Sequence, residues 1–203
     1  MHSVFQRLFS CGRLPWGFIA LAGLAVAIQG HAAWQPTLVY NRTATAQGEI
    51  WRIWTGQLVH FGWPHLLADV GLFLVLGWLM ERKYNTQTYI ALVGMPLAIV
   101  AALYIGDPDL VRYGGLSGVD FGLLVFLALQ GWQRNWIDWF WPAVLAIYIG
   151  ELVYETTLGH GQGGGVIRFN DPSIHVATMA HVGGGLFGVG LWAVQARRRI
   201  VRT

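Results

Sequence analysis

The chain has 203 residues, 55% of them hydrophobic and only 11% charged, with a formal net charge of +3. Soluble domains carry roughly 25% charged residues, so a deficit this deep, gathered into long charge-poor tracts, excludes an ordinary soluble domain. A pI near 9.3 with no basic face excludes a nucleic-acid binder. The single cysteine, Cys11, excludes a disulfide framework and any zinc site built from cysteine pairs.

Taken in chain order, the charge-poor tracts predict six apolar helices, approximately over residues 15–33, 64–81, 87–105, 115–131, 137–155 and 176–196. Each can supply the roughly 17–25 residues that a membrane crossing needs. The first follows Arg7 and Arg13 and ends near His31-Ala32-Ala33, which has the look of a secretory signal. A retained span is the expectation, because the chain continues as membrane helices. Between Arg52 and Glu81 the only charge is Asp69, and between Arg112 and Arg134 it is Asp120. The expected fold is an all-α membrane protein, a single domain over residues 1–203. Its longer connections are 34–63 and 156–175, the latter carrying a flexible glycine tract from Gly159 to Gly165.

With the N-terminus inside, the inner segments hold Arg7, Arg13, Arg82, Lys83, Arg134, Arg197, Arg198, Arg199 and Arg202, and the outer loops hold Arg42, Arg52, Arg112 and Arg168. Nine against four is the asymmetry of the positive-inside rule, and predicts cytoplasmic termini. Tryptophans agree: Trp16, Trp78, Trp132, Trp136 and Trp192 fall near inner ends, and Trp34, Trp51, Trp54 and Trp63 near outer ones.

Polar groups inside a bilayer are costly and tend to mark function. Here they gather at one depth. His60 and His65 enter the second span with Asp69 one turn on; Gly115-Leu116-Ser117-Gly118 opens the fourth; His181, followed by Gly183, Gly184, Gly185 and Gly188, lies one turn into the sixth. All three spans run from outside to inside, so a serine, histidines and a carboxylate meet below the outer surface. Each piece has a plain reading alone: Ser117 as a small packing residue, Gly118, Gly184 and Gly188 as helix-packing glycines, His181 as a core histidine. Together they suit nucleophilic catalysis. A serine hydroxyl needs a neighbouring base, which His181 can supply. The start of the fourth helix offers free N–H groups where an oxyanion would form, and His65 can add a donor. No His-Glu-x-x-His occurs, and His65 with Asp69 is only half a metal site. No metal or cofactor is expected.

These blocks resemble the rhomboid family of intramembrane serine proteases: Trp51 to Gly56, Val59-His60, Pro64 to Asp69, Gly115 to Gly118, and Ala180 to Gly188. The resemblance implies a six-helix bundle, Ser117 as nucleophile, His181 as base, and His60, His65, Asp69 and Gly115 as supporting residues around the oxyanion. The wording is most similar to the rhombosortase branch, through Arg52 to Leu67 and Tyr113 to Val119. That branch implies a bacterial inner-membrane enzyme, open to the periplasm, which cleaves Gly-Gly-containing C-terminal transmembrane sorting tails of exported proteins. The resemblance further implies that the fifth span and the loop after it gate substrate entry.

Two acids complicate the reading. The family usually has Asn where this chain has Asp69, and an ionised Asp only accepts hydrogen bonds. Either Asp69 is neutral, or it orients His65 and leaves oxyanion donation to others. Asp120 is expected to be structurally satisfied, by capping local backbone, pairing with His181 or meeting Arg112. A pseudoprotease that binds transmembrane segments without cutting them is the alternative function.

Overall fold

A computed structural model describes residues 14–134, 139–157 and 177–200. Six long helices organise them: α1 (Trp16–Gly30), α2 (Trp63–Lys83), α3 (Asn85–Gly106), α4 (Ser117–Arg134), α5 (Phe140–Thr157) and α6 (Thr178–Ile200). The tracts that carry Arg7, Cys11, Trp136 and the Gly159–Gly165 run lie outside the described residues.

The helices form where uncharged, largely unbroken apolar sequence permits, and α1 and α2 each turn one stripe inward. α1 buries Phe18, Ala22, Ala25 and Ile28, and α2 buries His65, Leu66, Asp69, Phe73, Leu76, Gly77 and Met80. These are the three- and four-residue steps of a helix with one inward face. Phe18 packs on Phe73 with ring centroids 4.6 Å apart and fills the space left by Gly77. The last turn of α2 carries Arg82 and Lys83, which suit the negative end of the helix dipole. Tyr84 alone separates α2 from α3.

α2 and α3 are each long and apolar enough to cross a membrane. α1 makes a third only if joined to the Ala32–Leu38 segment, across a bend of 100°. The first apolar tract, expected to run as helix to residue 33, instead stops at Gly30, and the chain turns at His31, whose ring Nδ1 lies 3.1 Å from the Ala27 carbonyl. α4 begins at Ser117 and not at 115, because Gly115 has φ +127°, outside the helical region.

α4 is the centre of the bundle. From Gly118 to Gln130 nearly every residue is buried, against α6 on one side and α5, α2 and α3 around the rest. Its contact with α6 is a backbone-to-backbone seam. A methyl group on Gly184 would overlap the Gly118 carbonyl, and one on Gly188 would overlap the Gly122 carbonyl. Only glycine lets the axes come that close. Among its described residues, α5 packs Trp141, Val144, Leu145 and Tyr148 against the core.

The segment between α1 and α2 is tied down by its own polar groups. Arg52 is buried, pairs with Glu49 at 2.6 Å and donates to the carbonyls of Pro36 and Val39. Arg42 donates to the Leu103, Tyr104 and Asp107 carbonyls, satisfying the end of α3. A two-residue antiparallel ladder then pairs Tyr40 with Tyr113 and Asn41 with Arg112. The loop therefore fixes the strand that leads into α4.

Candidate active site

The entrance to α4 is shaped by three constraints. Tyr113, in the short ladder, donates its hydroxyl to the Gly115 carbonyl at 3.1 Å. Burial pushes that phenol well above its ordinary value, so it stays a proton donor. Gly115 takes a positive φ that a side chain would strain, and a β-carbon there would lie 3.0 Å from His65 Nε2 and 3.2 Å from Asp69 Oδ2. Its own N–H reaches the Gly56 carbonyl at 3.4 Å. The chain thus passes between α2 and the loop and releases its next two amides toward α2.

Those amides meet a single atom. Leu116 N–H donates to Asp69 Oδ2 at 2.9 Å and Ser117 N–H to the same oxygen at 3.2 Å. His60 Nε2 and His65 Nε2 each lie 3.2 Å from it as well. His60 is buried, and its Nδ1 lies 3.2 Å from the Leu58 carbonyl. The two imidazoles meet edge to face with centroids 5.0 Å apart, and His65 stacks on Phe61.

His181, on α6, contacts α4 and α5. Its Nδ1 lies 3.3 Å from the Ala177 carbonyl. A carbonyl only accepts, so Nδ1 carries the proton and Nε2 is left as the acceptor of the neutral ring. The ring packs edge-on against Phe121, one turn beyond Ser117, and against Tyr148 of α5. Tyr148 in turn donates to the Ser117 carbonyl at 3.3 Å. The glycine seam brings α6 in close: a β-carbon on Gly118 would lie 3.0 Å from the Ala180 carbonyl. Ser117 and His181 thus share Tyr148 as a neighbour, although no hydrogen bond joins the Ser117 hydroxyl to His181 among the described residues.

A Rhomboid domain pattern matches residues 47–198, which span α2 to α6 and every residue of this site. The chain belongs to the rhomboid family. It is similar to the Rhomboid protease GlpG of Yersinia enterocolitica, 29% identical over 112 residues that cover 53% of this chain and 38% of that protein. The GlpG of Yersinia pestis (strain Pestoides F) is 27% identical over the same shares. The match spans well under half the length of these relatives.

Within this rhomboid domain, Asp120 differs from what the sequence suggests, and Asp69 has more partners than the sequence suggests. Asp120 is fully buried, and neither of its carboxyl oxygens has a hydrogen-bond partner among the described residues. It neither caps backbone nor pairs with His181 or with Arg112, which is exposed; it lies in the first turn of α4, where its side chain is enclosed by the neighbouring helices. Asp69 does more than orient His65: it also meets His60 and the two amides at the start of α4.

The rhomboid site also holds groups that sequence reasoning passes over. The free N–H groups at the start of the fourth helix are expected, but nothing in residue type says that the Leu116 and Ser117 amides meet one Asp69 oxygen. Tyr148 and Phe121 read as ordinary apolar-tract aromatics, and only the packing of α5 and α6 on α4 reveals that both flank His181.

Proposed function

We propose that this rhomboid is an intramembrane serine endopeptidase with six membrane spans and cytoplasmic termini, with Ser117 as nucleophile and His181 as general base. The observation that carries the reading is the first turn of α4. Two adjacent main-chain N–H groups converge on one oxygen position there, beside a serine that begins the helix and an imidazole whose Nε2 is its free acceptor. Donors aimed at the place where negative charge develops are a large source of rate enhancement.

In the reaction, Ser117 Oγ bonds to the scissile carbonyl carbon while its proton passes to His181 Nε2. The carbonyl π electrons move onto oxygen, held by the Leu116 and Ser117 amides with His65 at hand. Collapse breaks the C–N bond, and His181 returns the proton to the leaving amine. Water, deprotonated by His181, then attacks the acyl carbon, and as the bond to Ser117 Oγ breaks His181 returns that proton to the serine oxygen. Glycines Gly118, Gly184 and Gly188 serve by letting α6 approach, and Gly115 by delivering the amides.

The substrates we assign are membrane-anchored proteins, cut near the outer face, of the rhombosortase type with Gly-Gly-containing C-terminal sorting tails. The setting is a bacterial inner membrane with the site toward the periplasm. Wording along Arg52 to Leu67 and Tyr113 to Val119 supports this finer assignment. Cleavage of a tail-bearing substrate in proteoliposomes, with the cut mapped by mass spectrometry, tests it. Ser117→Ala and His181→Ala should each abolish the cut, and undiminished cleavage by either variant refutes the dyad. One observation favours the alternative of a pseudoprotease that only binds transmembrane segments: Asp69 already occupies the amides that an oxyanion would need.

A further inference from the structure

We infer that Asp69 is an internal competitor of the oxyanion, a self-inhibiting carboxylate that must turn away from α4 before a substrate carbonyl is activated. The inference rests on the protease reading above, because it has meaning only if Ser117 is the nucleophile.

The geometry is that of an occupied anion site. One carboxylate oxygen, Oδ2, accepts from Leu116 N–H at 2.9 Å and Ser117 N–H at 3.2 Å, with His60 Nε2 and His65 Nε2 each at 3.2 Å. Four nitrogens from three parts of the chain therefore surround one atom. Asp69 is buried, so water does not compete for these contacts. Paired amides at a helix N-terminus, beside imidazoles, are what a tetrahedral oxyanion requires, and the position holds one oxygen at a time. The Ser117 amide cannot be far from its own Oγ, so whatever oxygen this amide binds sits next to the nucleophile. Asp69 is within the same reach.

The carboxylate also caps α4 from outside, supplying acceptors for N–H groups that have none within the helix. Asp69 is thus predicted to act in opposite senses on the two properties, holding the fold while slowing the chemistry. A residue that merely positions His65 would lower both when removed. This difference separates the two roles.

A fluorophosphonate probe reads it directly. When Ser117 Oγ bonds to phosphorus, fluoride leaves with the serine proton, and the phosphoryl oxygen needs the same two amides. The full-length chain in proteoliposomes would be compared as wild type, Asp69→Asn, Asp69→Ala and Ser117→Ala, alongside thermal unfolding. Labelling of Ser117 should be on the order of tenfold faster in Asp69→Ala. Asp69→Asn, which keeps the shape and loses the charge, should fall between, and both variants should unfold at lower temperature. Equal or slower labelling in the aspartate variants, with wild type labelled, overturns the competitor role and leaves the protease reading standing. Absence of labelling in every folded variant overturns both. If Asp69→Ala does not fold, Asp69→Asn decides by the same criterion.

Discussion

The Tyr148 hydroxyl donates to the main-chain carbonyl of Ser117 at 3.3 Å, so the middle of α5 is bonded to the first residue of α4. The same ring lies 5.5 Å from Phe121 and 6.0 Å from His181, centroid to centroid. A single side chain therefore touches the helix that begins with the serine and the histidine opposite it.

Tyr148→Phe keeps the ring and removes the hydroxyl. Stability in detergent should fall by about 1 kcal/mol, the worth of one hydrogen bond. Spin labels on α4 and α5 should report a broader distance distribution, as α5 loses its bond to the serine. An unchanged distribution would mean that ring packing alone holds α5.

Gly184 offers a steric test. A methyl group there meets the Gly118 carbonyl, a backbone atom that cannot step aside. Gly184→Ala should destabilise the bundle by about 3 kcal/mol or more, as overpacking of tightly fitted backbone does. Gly190, on the same helix, has nothing within 4 Å of its own would-be β-carbon. Gly190→Ala should be neutral or stabilising by about 0.5–1 kcal/mol. Thermal unfolding of the pair checks both.

Gly115 combines a positive φ with crowding by His65 and Asp69. Gly115→Ala should cost about 1–3 kcal/mol in backbone strain. It should also shift the Leu116 and Ser117 amides off their common oxygen. Labelling of Ser117 should therefore fall further than the loss of fold explains. Parallel measurement of the folded fraction and the labelling rate separates the two effects.

Arg42 binds three carbonyls at the end of α3 and lies over the Tyr104 ring at 4.1 Å. Arg42→Ala should lower stability by about 1.5–3 kcal/mol, as hydrogen bonds to a charged group are lost. Hydrogen exchange should rise in residues 40–41 and 112–113 together, because the ladder joins them. Protection retained at the second pair after loss at the first would refute that coupling.

The helices were legible because a bilayer tolerates few charges, and the charge gaps mark where α2, α3, α4, α5 and α6 run to within a few residues. Their ends were less so. Gly115 reads as one more small residue beside Ser117, while its positive φ delays α4 by two residues. The meeting of Ser117, His65 and Asp69 could be anticipated from depth alone, since each sits near the same end of its helix. The convergence on Asp69 Oδ2 could not, because half of it is main-chain N–H. The ladder between Tyr40 and Tyr113 was equally hidden: two-residue strands have no alternation to detect. Asp120 defeated sequence reasoning differently. A carboxyl is expected to find partners when buried, and nothing in the residue order says that this one faces none of the three proposed for it.

The enclosure of α4 has one further consequence. From Gly118 to Gln130 this helix is wrapped by its neighbours, whereas α5 turns Ile147, Ile149, Val153 and Tyr154 outward. With the six proposed spans in a bilayer, acyl chains would brush α5 and meet little of α4 between Gly118 and Gln130. On that placement, changes in bilayer thickness or fluidity would act on α5, and the Tyr148 hydroxyl is one relay from α5 to the serine.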